Sequence, residues 1–156
     1  MKQEIERKFL VSGPYKHLAT ESSYIEQGYI AKSESLTLRI RTRDQVGFLT
    51  IKGRSADGIS RSEWEYEIPV AEARELLSFS QGRISKRRYL IPAGEHTFEV
   101  DEFYGANEGL TVAEVELSDV GESFQRPEWL GEEVTGDKRY YNSQLLRHPY
   151  SEWREK

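Results

Sequence analysis

Charged side chains alternate with apolar or aromatic ones along most of this chain, and that alternation constrains the fold more than any other feature. Glu4, Glu6 and Lys8 alternate with Ile5, Arg7 and Phe9. Leu36, Leu38 and Ile40 alternate with Thr37, Arg39 and Arg41, and Leu49 and Ile51 with Thr50 and Lys52. Glu63, Glu65 and Glu67 alternate with Trp64, Tyr66 and Ile68, Glu99 and Asp101 with Phe98 and Val100, and Glu114 and Glu116 with Val115 and Leu117. A period of two belongs to strands with two different faces. Residues 24–30 and 83–90 are weaker strand candidates. Turn residues separate the runs: Asp44 to Gly47, Ser55 to Gly58, Pro92 to Glu95 and Tyr104 to Gly109. About eight short strands on mostly short connections suggest an antiparallel sandwich or barrel.

Helical signals are few. Residues 70–79 carry Ala and Leu at helical spacing. Residues 120–126 read as a short helix stopped by Pro127, and 138–147 as a third, with Asp137 as its N-cap. Trp64, Phe98 and Val100 read as an outer apolar face covered by these helices. No linker, low-complexity tract or second domain is visible, so 1–148 reads as one domain and 149–156 as a frayed tail. The length of 156 residues suits one core.

The charges then need a location. They make up 31% of the residues, yet 12% are aromatic, which separates the chain from disordered sequences. Net charge is -5, whereas general nucleic-acid binders are more often basic. Without cysteine there is no disulfide, zinc–thiolate site or cysteine nucleophile. The sequence runs directly into Glu4 and Glu6 rather than into a secretory signal, and no apolar run approaches a membrane span. The expectation is a cytoplasmic protein without membrane contact.

A half-buried sheet, apolar inside and charged outside, explains each strand taken singly. Together the strands say more. Acids stand alone at 63, 65 and 67, bases alone at 39, 41 and 43, and Glu114/Glu116 repeat the spacing of Glu4/Glu6. Residues i and i+2 of a strand project from one face, roughly 6.6–6.8 Å apart. Two such pairs brought together concentrate four carboxylates, which repel unless a cation or bases neutralise them. Hard divalent cations such as Mg²⁺ or Mn²⁺ take such oxygen donors together with water and phosphate. Lys8, Arg39, Arg41, Lys52, Lys86 and Arg88 form a second set suited to phosphate. Carboxylates with metal opposite Arg and Lys is a workable plan for phosphoryl transfer.

The segment Glu4-Ile5-Glu6-Arg7-Lys8 resembles the Glu-x-Glu-x-Lys signature of the CYTH superfamily, the triphosphate tunnel metalloenzymes. Gln27-Gly28-Tyr29, Leu38-Arg39-Ile40-Arg41, Thr50-Ile51-Lys52, Arg61-Ser62-Glu63-Trp64-Glu65, Lys86-Arg87-Arg88-Tyr89, Glu99-Val100-Asp101, Glu114-Val115-Glu116 and Asp137-Lys138-Arg139-Tyr140 follow in that family's order. Each motif alone is weak; the ordered set spans nearly the whole chain. It is most similar to the short bacterial branch that hydrolyses inorganic triphosphate.

The resemblance implies a mainly β (α+β) fold, a closed eight-stranded antiparallel β-barrel, or tunnel, with short helices outside. It implies Glu4, Glu6, Glu114 and Glu116 as ligands of Mg²⁺ or Mn²⁺, and Lys8, Arg39, Arg41, Lys52, Lys86 and Arg88 as phosphate contacts. Asp101 would sit near the metal or orient its ligands, and Glu63 and Glu65 would position metal, water or neighbouring bases. Tyr29 would act with Lys8 in activating water. The stretch 137–140 would close one tunnel end. His17, His96 and His148 show no ligand spacing and no glycine-rich phosphate loop is present.

The expected activity is metal-dependent hydrolysis of inorganic triphosphate to pyrophosphate and phosphate. Alternatives are thiamine triphosphatase, nucleoside triphosphatase or adenylate cyclase activity, or a non-catalytic module for polyphosphate or triphosphorylated RNA. The short chain leaves few residues for a base or thiazolium pocket, and the full acidic set suits a hydrolase better than a pure polyanion binder. The expected partner is the small-molecule triphosphate rather than nucleic acid, and a homodimer is compatible with this reading.

Overall fold

In a computed structural model, which describes residues 5–54 and 61–153, the chain forms two compact units, Tyr24–Ser85 and Met1–Ser23 with Lys86–Lys156. Glu4 lies outside the described residues.

The Tyr24–Ser85 unit is built on β2 (Glu21–Lys32), β3 (Leu36–Arg43), β4 (Val46–Arg54) and β5 (Arg61–Ile68), in the order β5-β4-β3-β2. Pairing is antiparallel, with Arg39 opposite Thr50 and Thr50 opposite Glu65. Asp44 turns the β3–β4 hairpin at a φ of 52°, a conformation that Asp tolerates better than most residues. Helix α1 (Val70–Leu77) starts directly after Pro69, as the helical spacing predicts. Ala73 and Leu77, four apart, share one face and bury with Ile40. Gly47 lets the helix approach, since a Cβ there would lie 2.7 Å from that of Ala73. Trp64 is not covered as expected. It stays 48% exposed, because α1 covers the Ile40, Leu49 and Ile68 region of this face instead.

The other unit contains β1 (Ile5–Val11), β6 (Ile84–Ala93), β7 (His96–Phe103), β8 (Thr111–Leu117) and β9 (Leu130–Glu133), in the order β6-β7-β8-β1-β9. The core of this unit includes Phe9, Ile91, Phe98, Val100, Val115 and Trp129. Nine antiparallel strands are therefore described rather than eight. The addition, β9, is short and pairs with β1 around a register shift. Gly131 permits this pairing, because a Cβ there would come 3.0 Å from the Leu10 carbonyl oxygen.

Two expectations on this unit fail for packing reasons. Residues 120–126 are not helical. They form the end of a turn and an extended strap whose Phe124 packs edge-on against Phe9 and Phe98, at 5.9 and 6.2 Å between ring centres. Glu122 accepts from the Ser118 amide at 2.8 Å and is tied to His96, so local helix propensity loses to tertiary contacts. Phe98 and Val100 are thus buried by this strap and Trp129, not by helices. The tail is also not frayed as far as residue 153. Trp153 is 8% exposed, packs on Tyr140 and Tyr150, and donates its Nε1–H to the His148 carbonyl. Residues 138–147 divide into a 3-10 turn (Lys138–Tyr140) and α2 (Asn142–Arg147), and Asp137 accepts from the Arg139 amide at 3.1 Å.

Candidate active site

The alternation that defines the strands also gathers the site. In β1 and β8, Glu6 lies opposite Glu116 and Lys8 opposite Glu114. In β7 and β8, Glu99 lies opposite Glu114, and in β6 and β7, Arg88 lies opposite Asp101. Cross-strand partners share a face, so one face of four adjacent strands carries Glu6, Lys8, Lys86, Arg88, Glu99, Asp101, Glu114 and Glu116. The opposite face holds Phe9, Val100 and Val115 in the core. Burying those residues at roughly 1.5–3 kcal/mol each fixes the register, and a one-residue slip would turn the charges inward.

Asp101 anchors the basic side of this face. It is 8% exposed and Lys86 only 1%. The Lys86 ammonium lies 2.9 Å from Asp101 Oδ2. Arg88 donates to both Asp101 oxygens, at 2.8 and 2.9 Å, and its Nη1 reaches Glu99 at 3.2 Å. Burial alone would raise the Asp101 carboxyl. Lys86 and Arg88 outweigh it and hold the group down at about 2. Burial pulls the Lys86 ammonium below its ordinary value against the attraction of Asp101.

The acidic side is arranged differently. Burial pushes the Glu114 carboxyl up to about 8, helped by a hydrogen bond with Glu6 and the Glu6 charge and opposed by Lys8. Two carboxyl groups in contact retain a proton when no cation separates them. The donors here are carboxylate oxygens, which fits a hard divalent cation. Among the described residues no group of three or more His, Asp or Glu side chains is set to enclose a metal ion. The Lys8 ammonium lies 4.7 Å from the centre of the Tyr141 ring.

In the other unit, one row of cross-strand partners runs Tyr29, Arg39, Thr50 and Glu65. Arg39 Nη2 reaches Thr50 Oγ1 at 3.5 Å, and Thr50 donates to Glu65 at 3.3 Å. The Arg39 Nε–H is buried without a hydrogen-bond partner among the described residues. Arg41 and Glu65 are 4.0 Å apart, and Lys52 and Glu63 3.9 Å. At those distances and exposures the carboxylates restrain the bases weakly. The Tyr29 ring has the Lys32 ammonium 5.5 Å from its centre.

Three residues beside these side chains were given no role by the sequence. Glu99 shares the parity of Asp101, a signal that was present. Thr50 shares the parity of Lys52. Tyr141 carries no periodic signal, because it sits at the junction of the 3-10 turn and α2.

The CYTH domain family matches residues 2–147. A curated relative from Acetivibrio thermocellus, described as an inorganic triphosphatase, is 49% identical over 99% of this chain and 100% of its own length. Another from Nitrosomonas europaea, with the same description, is 39% identical over 91% of this chain and 95% of its own. A crystal structure of an inorganic triphosphatase superposes with a TM-score of 0.76 at 34% identity, covering 94% of this chain and 95% of that one. The chain belongs to the CYTH domain family.

Proposed function

We propose that this chain hydrolyses inorganic triphosphate to pyrophosphate and phosphate with the help of Mg²⁺ or Mn²⁺. The observation that carries the reading is the strand register that sets Glu6, Lys8, Glu114 and Glu116 on the face where Asp101 holds Lys86 and Arg88. The names of the two relatives support the substrate.

Glu6, Glu114 and Glu116, with Glu4 preceding them in sequence, are the residues that would hold the metal. When bound, such an ion neutralises the carboxylates and withdraws charge from phosphate oxygens. Lys8, Arg39, Arg41, Lys52, Lys86 and Arg88 are the bases assigned to the phosphates. Asp101 and Glu99 fix the fork of Arg88 so that little rotational freedom is lost on binding. Glu63 and Glu65 lie beside Lys52 and Arg41 and restrain them loosely, and Glu65 reaches Arg39 through Thr50. Water attacks the terminal phosphorus, its proton passes to Tyr29 in the phenolate form, and the bridging P–O bond breaks to release pyrophosphate. The same reading places the enzyme in the cytoplasm as one domain over 1–148. Among the described residues no helix is long and apolar enough to cross a membrane.

A phosphate-release assay on triphosphate, ATP and thiamine triphosphate, with and without Mg²⁺ or Mn²⁺, tests this. The expected result is metal-dependent turnover that is fastest on triphosphate. Faster turnover of ATP or thiamine triphosphate would reassign the substrate, and tight binding of triphosphate without turnover would make the chain a polyanion-binding module.

A further inference from the structure

We infer that Tyr141 is a positioning residue for Lys8, holding its ammonium by a cation–π contact; the functional consequence rests on the triphosphatase reading above. Lys8 projects from β1, and its backbone is tied on the β9 side. The Lys8 amide donates to Thr135 Oγ1 at 2.9 Å, and its carbonyl accepts from the Val134 amide at 2.8 Å. The chain then turns through Lys138–Tyr140 and brings Tyr141 to the tip of the lysine. Tyr141 is fixed in its backbone, its amide donating to the Lys138 carbonyl at 3.1 Å and its carbonyl accepting from Leu145 at 2.9 Å. Its ring is 38% exposed rather than packed in a core, and the lysine ammonium sits 4.7 Å from its centre.

A lysine in water has four freely rotating bonds, and ordering its ammonium costs their rotamer freedom. An aromatic face within about 6 Å attracts the ammonium, by an amount corresponding to about 2- to 5-fold in an equilibrium at an exposed site. The face also lacks any acceptor that would compete with a phosphate oxygen. Lys8 is thereby held next to Glu114, whose carboxyl responds to its charge. An exposed tyrosine that orders a site lysine acts on ligand binding more than on folding.

The tests separate the contact from the activity. In the free protein, ring current should shift the Lys8 Cε protons upfield in wild type and Tyr141→Phe and leave them unshifted in Tyr141→Leu. An unshifted wild type would overturn the inference whatever the enzyme does. In calorimetric titration with inorganic triphosphate without metal, Tyr141→Leu should bind about 2- to 5-fold more weakly. Tyr141→Phe and Tyr141→Trp should bind like wild type, with unfolding midpoints unchanged in all three. In a Lys8→Met background, Tyr141→Leu should have no further effect. Equal losses in Tyr141→Phe and Tyr141→Leu, or a loss that persists without Lys8, would overturn it. An upfield-shifted Lys8 in a protein that neither binds nor hydrolyses triphosphate would refute the triphosphatase reading and leave the contact standing.

Discussion

Replacing Asp101 with Asn should destabilise the protein by about 2–4 kcal/mol at neutral pH, and the reason lies in the two cations it serves. Asp101 is 8% exposed and Lys86 1%, so neither charge has water to fall back on. The carboxyl titrates at about 2 instead of its ordinary 3.8. That gap is worth roughly 2 kcal/mol of stability at neutral pH. The sign follows from the direction: a depressed carboxyl contributes fully above the unfolded-state value. Its contribution falls away as pH drops from that value through about 2. Asn mimics the protonated form in charge, so about 2 kcal/mol is the lower bound. Removing one partner of a buried pair typically costs about 3–5 kcal/mol, and Arg88, whose side chain is 20% exposed, recovers part of that by turning to water. Urea unfolding, followed by tryptophan fluorescence with the slope checked against wild type, measures the loss. Lys86→Met combined with Asp101→Asn should recover part of it, because the orphaned ammonium is then gone. A loss under about 1 kcal/mol, or a double variant no better than Asp101→Asn, would refute the claim that Lys86 depends on Asp101.

Other consequences follow from named contacts. Glu6→Gln and Glu114→Gln should each reduce metal-dependent phosphate release by at least about 100-fold, while unfolding midpoints stay close to wild type. Gly47→Ala should cost about 1–3 kcal/mol in denaturant unfolding, since the new Cβ meets Ala73 Cβ at 2.7 Å and the Ile68 carbonyl at 2.9 Å. Phe124→Ala should cost about 2–3 kcal/mol by the same measurement, because the strap loses its contacts with Phe9 and Phe98. Tyr29→Phe should lower turnover with little change in triphosphate affinity by calorimetry; unchanged turnover would remove Tyr29 from the chemistry.

Most of the strand framework was legible because the period of two is written in charge. Glu63, Glu65 and Glu67 cannot share the face that Trp64 and Tyr66 occupy, and Lys86 and Arg88 share parity in the same way. Strand β9 was not legible. Leu130-Gly131-Glu132-Glu133 has no alternation, and it pairs only because Gly131 allows close approach to Leu10. The strap at 120–126 departs from the helix that local propensity favours there, because Phe124 gains more by packing on the sequence-distant Phe9 and Phe98. Parity put Glu6, Glu114 and Glu116 on one face, yet it could not distinguish a buried, ion-paired Lys86 from the more exposed Lys52. That distinction depends on what covers each residue. Tyr141 was beyond reach for the same reason: its position beside Lys8 comes from a turn, not from a repeat.

The central claim is that these carboxylates and bases serve hydrolysis of inorganic triphosphate. The most direct measurement follows both products from triphosphate as Mg²⁺ or Mn²⁺ is added and then removed with chelator. Equal amounts of pyrophosphate and phosphate are expected with either metal, with cessation on chelation and no metal-dependent release by Glu6→Gln. Turnover that continues without divalent metal, or that proceeds normally in Glu6→Gln, would contradict it.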